Sequence, residues 1–404
     1  MADPAAAIPI ATPAERNEAF RLACTLLNPF VSARPDHASP AALRHVFEFA
    51  AFHSVRPALL RSLPPLPQLP PAFQALRSDL AAFQVAHRFR VMQKTAEIVD
   101  LARALEAAGI DALFFKGAML GEQIYGGAQF REFNDTDILV PPAEKDRAIV
   151  ILEDLGYRPD VPDEHLRRGF FDYFRQHTFR HTDNGSMVDL HWDFVGTGPF
   201  PISAREALAG RNQVQLAGTA VPVPSRESLA LILAGHGHKE NWSSFSWVLD
   251  FARFAARHRD LDWSRIANRA QARGCLPPLL SATCLTEQLF GFVIDPGLAA
   301  RAARQPRVAR LGADIASRLA ALALRQAEDD LMGGFRLCER PGQKLAMGLR
   351  LLITPTIGDY AAMRLPRRLW WTYRLFRPLR LILRKLRRLP PESYDDTALK
   401  QRTA

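Results

Sequence analysis

Cysteine is scarce in this chain. Only four occur in 404 residues (Cys24, Cys275, Cys284 and Cys338), with no Cys-x-x-Cys pair among them. That spacing gives no support to a disulfide framework or a thiolate metal site, and it makes a reducing cytoplasm the expected compartment. Long apolar runs are missing too: no stretch approaches the roughly 18 consecutive residues a spanning helix needs. The opening MADPAAAIPIATPAERNEAF has no basic segment followed by an apolar core, so no secretory leader is expected. Acidic residues are absent between Arg364 and Arg388, where ten of the 52 Lys and Arg residues lie. This one segment accounts for the whole formal charge of +10, leaving the rest of the chain balanced against its 42 Asp and Glu. The basic character therefore describes a short stretch near the end rather than a nucleic-acid-binding globule.

What remains is ordinary globular material. Apolar residues make up 48% and charged residues 23%, which excludes wholesale disorder. At about 150 residues per domain the length suggests two or three packed units. Up to residue 90 the pattern is helical, interrupted by the five prolines of LPPLPQLPPAF (63–73). A long amphipathic helix is expected over 79–108, stopped by Gly109. The texture then changes. DALFFKG (111–117) and DTDILVP (135–141) read as short buried strands, with helical spacing between and after them. HTFRHTDNGSMVDLHWDF (177–194) reads as a β-hairpin turning at Asp183-Asn184-Gly185, and 214–225 adds a further strand pair. The rest to about 330 is helical. The expected fold is α+β: a small mixed-sheet core flanked by N-terminal and C-terminal helical regions. Its divisions are expected at 1–95, 96–225, 226–330 and 331–404.

The chemistry concentrates in carboxylates. Asp135 and Asp137 lie two apart in a strand, so the period of two points both to one face. Adjacent carboxylates repel and lose solvation unless a cation lies between them, and a divalent metal answers that need. Asp189 sits in the later strand MVDLHWDF, where His191 and Asp193 share its face and Trp192 takes the packed one. Three carboxylates over one face would hold one or two Mg2+ ions for phosphoryl or nucleotidyl chemistry. A D-x-D pair alone equally describes a solvated strand edge. Lys116-Gly117 closes the first strand at a point where phosphate could approach the backbone, although the pair alone is also an ordinary tight turn.

These residues resemble a known family. FFKGAMLGEQIYGGAQFREFNDTDILV, followed some fifty residues on by VDLHWDF, is similar to the uncharacterised nucleotidyltransferase family of the polymerase-β-like superfamily. The matching positions are Lys116, Gly117, Tyr125, Arg131, Asp135, Asp137, Asp189, His191 and Trp192, and Leu229–Asp250 resembles the family's helix pair. Two departures stand out: Lys-Gly replaces the superfamily's Gly-Ser or Gly-Gly turn, and Thr136 replaces an apolar residue. The resemblance implies a Mg2+-dependent enzyme transferring a nucleoside monophosphate from an NTP to a hydroxyl or amine of an unidentified small molecule, peptide or protein. Asp135, Asp137 and Asp189 would be its catalytic and metal residues, with two ions. Lys116, Gly117 and Arg131 would bind nucleotide, although Arg131 equally suits a structural pair with a strand carboxylate. His191, His236 and Lys239 would face the acceptor. His191 also fits a buttressing role, and GHGHKENW also fits a solvated helix end. Trp247 and Asp250 are expected to dock the helix pair.

Two rival readings keep the same residues: a metal-dependent phosphohydrolase, and a non-catalytic module that docks through its basic end. That end, LPRRLWWTYRLFRPLRLILRKLRRL (365–389), suits an anionic membrane surface, with the protein peripheral on the inner face of the membrane. It equally suits a helix packed on the body with a basic outer face. Nucleic acid ranks lower, because bulky aliphatic residues interrupt the basic stripe. Pro378 is expected to kink this helix.

Overall fold

The computed structural model describes residues 13–31, 38–65, 68–196, 198–322 and 338–386. The sequence opens into helices wherever apolar spacing and a cap coincide. Helix α1 (Pro13–Leu26) precedes α2 (Pro40–Phe52), where Ser39 accepts a hydrogen bond from the Ala42 amide and Pro40 fills a first-turn position needing no donor. After α3 (Arg56–Ser62) the proline-rich segment breaks the chain, which re-enters as the 34-residue α4 (Gln74–Ala107). The division expected at residue 95 falls inside α4. No two of the four cysteines are joined.

The core sheet is then laid down. Strand β1 (Leu113–Phe114) leads through the single-turn α5 (Gly117–Leu120) to β2 (Asp135–Leu139). Next come α6 (Lys145–Asp154), β3 (Tyr157–Pro159), α7 (Glu164–Phe174) and the hairpin β4 (Gln176–His181)–β5 (Met187–His191). The order across the sheet is β1-β2-β5-β4-β3, antiparallel except for β2 beside β5, which run parallel. The hairpin turns at the expected Asp183-Asn184-Gly185, with Gly185 at φ +69°. After α8 (Ala204–Ala209), β6 (Arg211–Leu216) and β7 (Thr219–Pro224) form a separate two-stranded ribbon.

Helices follow: α9 (Arg226–Lys239), α10 (Phe245–Arg257), α11 (Trp263–Ala272), α12 (Leu276–Phe290), α13 (Pro296–Ala303) and α14 (Pro306–Ala320). Among the described residues the chain ends with α15 (Pro341–Ile353), α16 (Ile357–Ala362) and α17 (Tyr373–Leu386). Helix α17 continues through Pro378. The division expected at 330/331 lies outside the described residues. The fold is α+β, a small mixed sheet flanked by helices.

Strand alternation separates the two larger cores, and a small third one joins α7 to α16 and α17 through Leu166, Ile357, Tyr360 and Tyr373. Ile138 of β2 and Val140 just after it, with Val188 and Leu190 of β5, share a core with Ile98, Leu101 and Leu105 of α4. Leu139 belongs instead to the larger core formed with the N-terminal and C-terminal helices. Asp135 and Asp137 share the Leu139 parity, so the sheet turns its carboxylates toward the helical half of the molecule.

Candidate active site

The parallel pairing of β2 and β5 sets Asp137 directly opposite Asp189, and Leu139 opposite His191. Asp135 lies one pleat earlier on the same face. The loop leading into α5 brings Lys116 across from β1, and its Nζ lies 3.0 Å from Asp137 Oδ1. His191 Nε2 lies 3.2 Å from the same oxygen. A carboxylate can only accept, so Nε2 carries the proton in that bond. Thr178, opposite Asp189 in the hairpin, donates its hydroxyl to Asp189 Oδ1 at 2.6 Å.

Gly117 makes the turn possible. Its φ is +52°, and a Cβ there would stand 2.9 Å from the Asp135 carbonyl oxygen. Only glycine combines that backbone with that approach.

Nine residues were expected at the site. Lys116, Arg131, Asp135, Asp137, Asp189, His191, His236 and Lys239 line one cavity of about 240 Å3, and Gly117 stands beside it. His236 and Lys239 come from the last turn of α9, so this turn is a wall of the cleft rather than a solvated end. His236 packs edge-on against Trp247, which shares the wall. Two neighbours go elsewhere. His238 is buried outside the cavity, and Asp193, beyond the end of β5, lines a different cavity with Arg175 and Arg273. The expectation that Asp193 shares the Asp189 face fails because the strand stops at His191.

Arg131 is already engaged. Its Nη2 lies 3.0 Å from Asp250 Oδ2 and its Nε 3.2 Å from the same atom. Its Nη1 reaches the Gly117 carbonyl at 3.4 Å, and the Tyr125 hydroxyl donates to Asp250 Oδ1 at 2.7 Å. The carboxylate it meets is on α10 and not on a strand. Arg131 thus ties the Lys-Gly turn to the helical half, and Asp250 docks α10 as expected.

Electrostatics divide the three carboxyls. Burial pushes Asp135 up to about 6, with the charges of Asp137 and Asp189 adding to it. Asp189 is raised to about 6 by burial and by Asp137, against the hydrogen bond from Thr178. For Asp137 burial acts upward as well, but Lys116 and the His191 hydrogen bond outweigh it and hold this carboxyl well below the usual range. Burial keeps His191 and His236 below the ordinary histidine value, so both are neutral at pH 7. Burial also acts against the charge on Lys116, but Asp137 and Asp135 overcome it and raise its pKa. The cavity is lined by four carboxyls (Asp135, Asp137, Asp189 and Glu240) against three cations (Lys116, Arg131 and Lys239), so the balance is negative.

That balance fits a divalent cation. Asp137, Asp189 and His191 each offer a ligand atom, all within 4.8 Å of one another. The tightest grouping therefore contains His191 rather than Asp135, which stands one pleat away in the same cavity. Hard oxygen donors suit Mg2+, and the His191 proton directed at Asp137 suits a supporting hydrogen bond. Thr178 and Gln176 escaped sequence reasoning, although the hairpin register counted back from Gly185 identifies Thr178 as the partner of Asp189.

The sequence identifies a nucleotidyltransferase. A model of the family described as "Uncharacterised nucleotidyltransferase" matches residues 39–291, and the chain belongs to that family. Among solved structures, the lincomycin-bound lincosamide antibiotic adenylyltransferase LnuA is similar at 16% identity and a TM-score of 0.27. The match covers 42% of this chain and 94% of that one, and carries no argument about substrate. No curated protein matches.

Proposed function

We propose that this enzyme transfers a nucleoside monophosphate from an NTP to a hydroxyl or amine of a small molecule, peptide or protein, with Mg2+ held by Asp135, Asp137 and Asp189. The observation that carries the reading is the register placing Asp137 beside Asp189, with Asp135 on the same face, in a cavity whose carboxyl charge exceeds its cationic charge. Bound Mg2+ would neutralise charge on the phosphates and the departing pyrophosphate. Lys116 orients Asp137 and offers its ammonium to the triphosphate. Asp189, raised to about 6, is ionised at neutral pH yet basic enough to take the proton of the attacking group. His191, in the same cavity, steadies Asp137 through its Nε2 hydrogen bond. His236 and Lys239, on the opposite wall, face the acceptor. Arg131, engaged with Asp250, holds the turn that carries Lys116 and contributes positive field rather than a free clamp.

Small-molecule sites generally run from about 300 to 1,000 Å3. A cavity of about 240 Å3 houses the phosphate end of the donor, leaving base and acceptor toward the cleft mouth. In this reading residues 96–225 supply the carboxylates and 226–330 the facing wall. The test is incubation with each NTP and Mg2+, followed by intact-mass analysis of candidate acceptors and of the protein. Pyrophosphate release with a gain of one nucleotide's mass is expected. Orthophosphate release without an adduct would make the protein a phosphohydrolase. An unchanged product yield from Asp135→Ala would make the carboxylates non-catalytic.

A further inference from the structure

Helix α17 is amphipathic the wrong way round for a surface helix of a monomer. Two of its arginines turn inward: Arg377 is buried, donating to Asp359 Oδ2 at 2.7 Å, to Thr356 Oγ1 at 3.0 Å and to the Leu351 carbonyl at 2.8 Å. Arg380 reaches Asp359 Oδ1 at 2.5 Å. The apolar residues point outward instead. Leu375, Leu379, Ile382 and Leu386 recur at i, i+4, i+7 and i+11, a single stripe, and are 55–74% exposed. Phe376 and Leu383 widen it. Neighbouring α15 repeats the pattern with exposed Leu345, Leu349 and Leu352. Just before α17, Trp371 is 63% exposed. Among the described residues nothing covers these side chains, and an exposed apolar stripe running along about three turns of α17 marks an interaction site.

The charge around the stripe selects its occupant. The segment 364–388 holds ten basic residues and no acidic one. Arg364 pairs with Asp163 and Arg367 with Glu164, which with the two Asp359 pairs fastens the segment to the body. Arg374 and Lys385 fall on one flank of the apolar stripe. A second copy would set this cationic rim against itself, which disfavours a symmetric dimer. An anionic bilayer supplies both an apolar phase for the leucines and phosphates for the flanking cations, with Trp371 at headgroup depth. No described helix is long and apolar enough to cross a membrane, so the contact is one of lying on the surface.

We propose that α15 and α17 form a docking face for an anionic lipid bilayer, in which the buried arginines hold the helix with its leucines outward and the flanking cations read the headgroups. This narrows the sequence expectation of arginines on lipid: Arg377 and Arg380 are fasteners, aliphatic side chains enter the apolar phase, and Arg374 and Lys385 are left for the headgroups. The test is co-sedimentation of the full-length protein with phosphatidylcholine vesicles and with an equal mixture of phosphatidylcholine and phosphatidylglycerol. Binding to the mixed vesicles is expected, weakened by salt and by omission of phosphatidylglycerol. Leu375→Asp/Leu379→Asp, at exposed positions, should lower the partition coefficient by tenfold or more while leaving the melting temperature and nucleotide transfer intact. Arg374→Glu/Lys385→Glu should reduce binding only where phosphatidylglycerol is present. Three outcomes would overturn the proposal. They are no sedimentation with mixed vesicles, equal sedimentation of the Leu375/Leu379 variant, or a dimer by light scattering that this variant dissociates without any vesicle binding.

Discussion

Arg131 and Asp250, 119 residues apart, meet in a buried two-point ion pair that fastens the Lys116-Gly117 turn to a helix of the opposite half. Removing one partner of such a pair strands the other, at a cost of about 3–5 kcal/mol. Asp250→Ala should therefore lower unfolding free energy by about that amount. The double variant Arg131→Met/Asp250→Leu should lose much less, because no uncompensated charge remains. Urea titration followed by circular dichroism measures both. A loss below about 1 kcal/mol for Asp250→Ala would show the pair to be solvated.

The raised carboxyls predict how metal and pH combine. Asp135 and Asp189 sit at about 6 in the folded chain against an ordinary 3.8, so the native state holds their protons more tightly than the unfolded state. Their ionisation costs stability, and in metal-free protein that cost grows as pH rises through this window and is complete above it. Asp137, held low, acts the other way, but its contribution is lost only below the ordinary aspartate range. Mg2+ should accordingly raise the melting temperature more at about pH 7.5 than at about pH 5. Equal shifts at both, read by differential scanning calorimetry, would detach the metal from these groups.

Charge-neutral substitution tests the roles directly. Asp137→Asn and Asp189→Asn should each reduce turnover by about 100-fold or more while the far-ultraviolet spectrum is unchanged. Lys116→Met should act mainly on KM for the NTP if its ammonium meets the triphosphate. Steady-state kinetics with pyrophosphate detection separates the two effects.

Gly117→Ala combines a left-handed backbone with a contact of 2.9 Å to the Asp135 carbonyl. The backbone term alone is about 1–2 kcal/mol. Since the pressed atom belongs to the strand carrying two carboxylates, activity should fall further than stability. Thermal melts and turnover on the same preparation show whether it does.

Much of this site is legible in the sequence, because strand parity is a local property. Asp135 and Asp137 reveal their shared face from spacing alone, and Asp183-Asn184-Gly185 announces the turn that brings Thr178 to Asp189. The pairing of Asp137 with Asp189 is different in kind. A parallel neighbour is joined through intervening helices, and no spacing rule states its register. The same holds for Arg131, whose partner lies on α10, and for the α9 turn that closes the cleft, where GHGHKENW gives no sign of which histidine faces inward. In 364–388 charge was visible but direction was not. Whether arginine or leucine faces outward depends on Asp359, Asp163 and Glu164, which belong to other elements.

The parallel adjacency of β2 and β5 also dates the assembly of the centre during synthesis. A nascent polypeptide that has emerged only through the first acidic strand lacks the neighbour strand, the threonine that steadies it and the α9 wall. Such an intermediate lacks most of the residues that line the cavity. If these residues form the catalytic centre proposed above, it cannot be complete before sequence beyond residue 239 has cleared the ribosome and the long-range contacts close.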